Sequence, residues 1–151
     1  MKKSVIFASL LAICANSSAN ANTNHLECLA LNIYHEARGE SLEGQAAVAH
    51  VTINRVNHEW FPNSICQVVY QSSQFSWVHQ RRNHTPQDTE AWNRALLIAN
   101  SFIEGEFSSF DPTEGATFYH AVHVNPPWNN QMELIDTVGV HEFYYWDGTW
   151  D

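Results

Sequence analysis

Lysine is nearly absent from this chain, and positive charge as a whole is scarce. Both lysines, Lys2 and Lys3, lie within the first three of 151 residues, and seven Lys and Arg stand against 16 Asp and Glu, for a formal net charge of −9. Binding to nucleic acid phosphates needs a basic face, which this chain cannot assemble. The composition therefore predicts no nucleic acid partner, and the negative charge favours solubility.

The chain also lacks an apolar run long enough to cross a bilayer. The apolar stretch from Ser4 to Ala15 is about a dozen residues long, whereas a spanning helix needs roughly 20. It follows the two lysines and precedes Ala19-Asn20-Ala21, an A-x-A site typical of secretory signals. We therefore predict a signal peptide over residues 1–21 and one exported domain over residues 22–151, periplasmic or extracellular, monomeric and not stably inserted in a membrane.

Cysteine is sparse, with only Cys28 and Cys66 remaining after the predicted signal is removed. Exported proteins meet oxidising conditions in which an even number of thiols tends to pair. We predict a disulfide between Cys28 and Cys66, which closes a loop of roughly forty residues and contributes about 3 to 4 kcal/mol if unstrained. The alternative is two separate buried thiols.

Apolar residues recur at helical spacing in the first part of the domain. The pattern predicts a helix from Asn24 to a stop at Gly39, a second helix capped by Ser41 and running through Val56, and a short helix over residues 64–69. Residues 73–78 are aromatic and β-prone. Thr85-Pro86, followed by Asp88 and Glu90, is a favourable start for another helix, which ends at Gly105.

The last part of the chain carries β-type patterns. Residues 116–124 and 134–145 are predicted as strands, separated by the loop at residues 125–128. The fold class is therefore α+β, with helices first and a small antiparallel sheet toward the C-terminus.

Glu36 is the strongest candidate for a catalytic group. It lies three residues after Ile33, on the apolar side of the first predicted helix, where partial desolvation raises the pKa of a carboxyl group and keeps it protonated. Cleavage of a glycosidic bond needs such an acid to protonate the departing oxygen. The alternative from spacing alone is an ion pair with Arg38 at the helix end.

Nine segments resemble those of the SleB/CwlJ family of cell wall hydrolases, and they occur in the family's order over nearly all of residues 22–151. They are ALNIYHEARGE (30–40), EGQAAVA (43–49), NRV (54–56), FPNSI (61–65), VVYQ (68–71), QFSW (74–77), DPT (111–113), GATFYH (115–120) and GVHEFY (139–144). Unlike the spore cortex members, this sequence shows no peptidoglycan-binding repeat before these segments, so spore germination is not implied.

The resemblance implies a lysozyme-like fold and a catalytic glutamate at Glu36. It also implies cleavage of peptidoglycan between N-acetylmuramic acid and N-acetylglucosamine, in some members as a lytic transglycosylase. Such an enzyme uses one carboxyl group twice, first as acid to the leaving oxygen and then as base to the sugar's own C6 hydroxyl, so it needs neither a second carboxylate nor a cofactor.

A muramidase-type hydrolase, by contrast, needs a partner carboxylate about 5 to 9 Å from the acid. The sequence offers four such groups, and spacing singles out none of them: Glu40, Glu43, Asp111 and Glu114. Transglycosylase chemistry is the favoured prediction.

Sugar binding needs aromatic platforms with amide or hydroxyl groups at their edges. Six residues fit this description and are predicted to bind substrate: Gln74, Phe75, Ser76, Tyr119, His120 and, in the loop at residues 125–128, Trp128. For Phe75 and Tyr119 the alternative is an ordinary place in the core of the sheet.

Two rival functions remain open at this point. Nine histidines suggest a metal-dependent wall amidase or endopeptidase, but an H-E-x-x-H helix needs histidine where Gly39 stands, and His120 and His123 on one strand would point to opposite faces. We therefore predict no metal. A non-catalytic wall-binding module is the other rival, and the intact Glu36 segment argues against it.

Overall fold

The computed structural model describes residues 15–80, 84–107 and 109–148. Four helices come first: α1 (Ala15–Ala37), α2 (Leu42–Val56), α3 (Ile65–Val69) and α4 (Thr89–Ile103). Three strands follow, β1 (Phe118–Ala121), β2 (Glu133–Val138) and β3 (His141–Tyr145), in an antiparallel sheet of order β1-β3-β2. Two short 3₁₀ turns lie at Ser76–His79 and Asn129–Gln131. The predicted α+β class is confirmed.

The helices pack through small side chains. Leu29, Ile33 and Ala37 of α1 are buried on one stripe, as predicted, and α4 places the small residues Ala95 and Ala99 in the same hydrophobic core. Small residues on a buried helix face let two helices approach closely, which lowers the free energy by burying apolar surface. This packing fixes the direction of α1, and therefore the position of Glu36, the residue before its last.

Two helix starts show why the chain folds as it does. Ser41 accepts a hydrogen bond from the Gly44 amide at 3.2 Å and caps α2, as predicted. In the predicted start of α4, Thr85-Pro86 lies before the helix and the cap is Asp88, whose carboxylate accepts from the Ala91 amide at 3.0 Å. An N-cap carboxylate also interacts favourably with the helix dipole, which favours a helix start at Asp88 over one at Pro86.

Three further predictions needed correction. Helix α1 begins at Ala15, upstream of Asn24, and part of the predicted signal peptide lies outside the described residues. Residues 73–78 form no strand, because Phe75 and Trp77 are buried in the helical core and a 3₁₀ turn brings both there. The single strand predicted over residues 134–145 is a hairpin, β2 and β3, which reverses where Gly139 adopts a φ of +61°.

Cys28 on α1 and Cys66 on α3 are joined by a disulfide, as predicted. The bond fixes α3 against the first helix. Within the residues that the structure describes, no helix is both long and apolar enough to cross a membrane.

The sheet builds a second, smaller core against α2. Its buried members are Ala47, Val51, Ala116, Val138 and Phe143. Tyr119 packs against both this cluster and the helical core, so the middle of β1 lies where the two cores meet.

Candidate active site

The candidate site forms where the end of α1 meets β1. Glu36 is the penultimate residue of α1 and is half-buried, and its Oε2 accepts a hydrogen bond from the hydroxyl of Tyr119 at 3.1 Å. In β1, Tyr119 pairs with Phe143 of β3 and lies edge-on to His141, with 5.3 Å between ring centroids. The helix and the sheet thus each supply one partner of this contact.

Burial raises the pKa of Glu36, although the hydrogen bond from Tyr119 and the positive charge of Arg55 partly offset the effect. A carboxyl group with a raised pKa holds its proton closer to neutral pH. The pKa of Tyr119 lies well above its usual value because of burial and the neighbouring Glu36 charge, so the phenol remains a donor. Both shifts are in the direction that favours a protonated carboxyl group beside a phenol that donates to it.

Arg55 supplies a buried positive charge close to this pair. Its side chain is 4% exposed, and its Nε donates to the Thr117 carbonyl at 2.7 Å, just before β1. The guanidinium carbon lies 5.3 Å from the ring centroid of Phe75 and 5.6 Å from that of Phe118. Burial lowers the pKa of Arg55 to about 10, so the group remains a cation at neutral pH.

A cavity of about 260 Å³ opens beside Glu36. Its described lining combines Glu36 with His35, Arg38, Ser76, Trp77, Gln80 and His84. His35 stacks on Trp77 with centroids 4.4 Å apart, and an Nε2 contact of 3.0 Å ties it to the His84 carbonyl. An aromatic wall with polar groups around an acid is the kind of surface that a sugar ring can occupy.

The sequence profile described as Cell Wall Hydrolase matches residues 39–144, about 70% of the chain. The chain belongs to the cell wall hydrolase family. Glu36 lies three residues before the matched segment.

Curated relatives and solved structures agree with this membership. The chain is 33% identical over 133 residues to the spore cortex-lytic enzyme of Bacillus subtilis (strain 168), covering 87% of this chain and 41% of the relative. It is 36% identical to the enzyme of that name from Halalkalibacterium halodurans, with 85% and 37% covered. The chain thus spans about two fifths of the length of these relatives.

The structural likeness is to catalytic domains. The catalytic domain of the Bacillus cereus SleB protein superposes with a TM-score of 0.64 at 28% identity, covering 82% of this chain and 91% of that one. The catalytic domain of the germination-specific lytic transglycosylase SleB from Bacillus anthracis gives 0.61 at 28%, with 81% and 94% covered. The predicted lysozyme-like fold is confirmed by these neighbours.

The structure brings some of the predicted substrate-binding residues of this cell wall hydrolase to Glu36 and leaves others apart. Tyr119 contacts Glu36, and Ser76 lines the cavity with it. Phe75 is 2% exposed and packs in the helical core, where its ring faces Arg55. Gln74 precedes it in a turn and is not among the described residues of the cavity lining.

His120 and Trp128 lie on the opposite face of the sheet from Tyr119. Side chains alternate along a strand, so His120 points away from the Glu36 side and packs against Tyr144 and Trp128, at 5.1 and 5.4 Å between centroids. Substrate binding by these two residues stays a prediction, and it would occur on a surface separate from the cavity.

The four carboxylates considered as partners of Glu36 have different surroundings. Asp111 is engaged in holding its own loop: it accepts from Asn54 and twice from Thr113, at 2.6 to 2.8 Å, and from the Gly115 amide at 2.9 Å. Glu40 accepts from the Val140 amide at 3.1 Å and so ties the start of α2 to the hairpin. Glu43 and Glu114 are exposed.

No group of three or more His, Cys, Asp or Glu side chains that could hold a metal ion occurs within residues 15–80, 84–107 and 109–148. The absence of a metal from the working enzyme stays a prediction.

The sequence interpretation gave no role to Arg55 and none to the cavity residues His35, Trp77 and His84. Arg55 could have been found from its position, since it occupies the buried stripe of α2 that also carries Val48 and Val51. A charged residue on an otherwise apolar helix face indicates a partner or a function. The cavity residues come from two distant segments, and their meeting depends on the tertiary fold.

Proposed function

We propose that this cell wall hydrolase cleaves the glycan strands of peptidoglycan between N-acetylmuramic acid and N-acetylglucosamine, with Glu36 as the catalytic acid. The observation that carries the proposal is the half-buried Glu36 carboxyl group, whose pKa is raised by burial and whose Oε2 accepts from Tyr119 at 3.1 Å. The family membership and the spore cortex-lytic relatives support peptidoglycan as the substrate.

In the first step, protonated Glu36 gives its proton to the glycosidic oxygen as the bond from that oxygen to C1 of the muramic acid breaks. The carboxylate that forms is stabilised by the Tyr119 hydroxyl, whose hydrogen bond strengthens as its acceptor gains charge. The nearby cation of Arg55 acts in the same direction. Both groups therefore stabilise the transition state more than the ground state.

The second step follows transglycosylase chemistry. The C6 hydroxyl of the muramic acid attacks its own C1 and gives its proton to the Glu36 carboxylate, which restores the acid and closes a 1,6-anhydro ring. No water is consumed. Among the described residues that line the cavity, Glu36 is the only carboxylate, which favours this route over one that needs a second carboxylate.

Mass spectrometry of fragments released from purified peptidoglycan tests the proposal. Anhydro-muramyl ends, lighter by one water than reducing ends and absent with Glu36→Gln, are the expected result. Glu114→Gln is a matched control, because Glu114 is exposed and should leave the products unchanged. Reducing muramyl ends lost with Glu36→Gln would instead indicate a muramidase, and activity that survives Glu36→Gln would contradict the role of Glu36.

We also propose that the enzyme works outside the cytoplasm. The disulfide between Cys28 and Cys66 supports this location, since such bonds persist in oxidising compartments. N-terminal sequencing of the secreted protein is expected to begin at Asn22, and an intact Met1 on the exported protein would contradict the predicted signal.

A further inference from the structure

Arg38 stands one residue beyond the end of α1 and shares the cavity with Glu36. Its guanidinium carbon lies 5.1 Å from the ring centroid of Tyr34, and its Nη1 reaches the Tyr34 carbonyl at 3.5 Å. A guanidinium has five N–H donors, so this one long contact leaves most of them available. The side chain is exposed, and its remaining donors are open to a ligand in the cavity.

The other arginines of the described residues are committed elsewhere. Arg55 is buried and bound to the Thr117 carbonyl, and Arg94 pairs with Glu90 at 3.5 Å. Within residues 15–80, 84–107 and 109–148, no carboxylate forms an ion pair with Arg38, and no lysine occurs. In a chain with a formal net charge of −9, a cation without an ion-pair partner in the cavity that Glu36 also lines is unusual and indicates an anionic ligand.

The groups around Arg38 are suited to an anion. Ser76 and Gln80 line the same cavity with a hydroxyl and an amide, and both are exposed. Burial lowers the pKa of His35, so its ring adds no positive charge of its own at neutral pH. Among the described residues that line this cavity, Arg38 is the only arginine or lysine, and its planar fork matches the two oxygens of a carboxylate.

We propose, building on the proposed function, that Arg38 binds a carboxylate carried by the lactyl arm of N-acetylmuramic acid. The arm ends in a bare carboxylate where the stem peptide has been removed, and otherwise bears a peptide with carboxylates of its own. N-acetylglucosamine has no such arm. A cation beside the acid therefore distinguishes the two alternating sugars and places the bond that follows muramic acid at Glu36.

A purely structural role is the competing explanation. A cation at the C-terminal end of a helix interacts favourably with the helix dipole, and Arg38 contacts a carbonyl of the last turn. Such a role predicts that replacing Arg38 changes stability and affects all substrates alike. The carboxylate site predicts a loss confined to charged ligands.

Binding should be measured by calorimetry in the Glu36→Gln background, with the Glu36→Gln/Arg38→Gln double variant beside it. The ligands are a glycan fragment with bare lactyl carboxylates, the same fragment with its stem peptides, and the bare fragment neutralised by amidation with methylamine. We expect the double variant to bind at least one charged ligand about tenfold or more weakly, and the neutral ligand equally well. Arg94→Gln in the same background is the matched control and should change none of the three affinities.

Each outcome bears on the proposal. A loss with the bare fragment identifies the lactyl carboxylate as the ligand, and a loss with the peptide-bearing fragment alone identifies the stem peptide. Equal losses for charged and neutral ligands, or no loss, overturn the proposal. Because binding is read without turnover, its failure leaves the product analysis of Glu36→Gln unaffected, and a failure of glycan cleavage is recognised separately.

Discussion

Replacing Tyr119 by phenylalanine removes one hydroxyl and tests the support that the sheet gives to the acid. The ring remains, so its packing against His141 and Phe143 is kept. What is lost is the 3.1 Å hydrogen bond to Oε2 of Glu36. A hydrogen bond to a charged group is worth about 1.5 to 3 kcal/mol. Since the charge on Glu36 develops during proton transfer, we expect kcat to fall by about 10- to 100-fold.

The same change moves the pH profile in a defined direction. Glu36 works as an acid when protonated, so activity falls as pH rises through its pKa. The Tyr119 hydrogen bond lowers that pKa, in opposition to burial. Its removal therefore raises the pKa of Glu36 further, and the basic limb of the pH–activity profile, where activity falls as Glu36 loses its proton, moves to higher pH.

Turnover of soluble glycan strands, followed across the pH range, measures both effects. Tyr144→Phe is the matched control, because its hydroxyl bonds Glu142 and His120 on the opposite face of the sheet and should leave the basic limb in place. A Tyr119→Phe enzyme with unchanged kcat and an unmoved basic limb would refute the role given to this contact.

The other predictions concern stability. Burial raises the pKa of Glu36 in the folded protein above its value in the unfolded chain, so the folded state loses stability as pH rises and Glu36 ionises. Glu36→Gln should therefore melt at a higher temperature than the parent at pH 8 but not at pH 4. Equal melting points of variant and parent at both pH values would contradict the burial effect. Replacing both Cys28 and Cys66 by alanine removes the constraint on a 38-residue loop of the unfolded chain, which is worth about 4 kcal/mol, and should lower Tm by roughly 14 °C in calorimetry. A fall under about 3 °C would contradict this and would mean that the loop of the unfolded chain is already ordered without the bond. Burial acts to raise the pKa of Asp111, but the hydrogen bonds that its carboxylate accepts outweigh this effect and lower the pKa. Asp111→Asn should therefore lower the free energy of unfolding by about 2 kcal/mol at neutral pH in denaturant titrations, and by progressively less as pH falls through the folded pKa. A loss of stability that does not change with pH would mean that the charge of Asp111 is not involved.

The helical half of the fold and the place of Glu36 could be predicted because their signals are local. Leu29 and Ile33 repeat at helical spacing, and Glu36 continues that stripe, so its partial burial follows from the pattern itself. The hairpin was harder, because residues 134–145 look equally β-like on both sides of Gly139. Only the pairing of β3 with both neighbours shows that the chain reverses there.

The surroundings of the acid were the least predictable part. Phe75 stands in an aromatic segment that suggests a sugar platform, yet its ring is used to enclose Arg55. Alternation along β1 sends Tyr119 and His120 to opposite faces, and which one meets Glu36 depends on the register with β3 and on how the sheet meets α1. These are contacts between distant segments, which a single sequence does not encode in any short pattern.

Glu36 and Tyr119 are 83 positions apart in the chain, so their contact depends on completion of the tertiary fold. β1 is paired with β3, so Tyr119 reaches its place only after the chain has been synthesised through Tyr145 and the hairpin has docked. A nascent or clipped chain that ends before β3 has the acid without its donor, however well its helices have formed. We therefore expect a chain truncated before β3 to turn over glycan at least as slowly as Tyr119→Phe, even where its helices form.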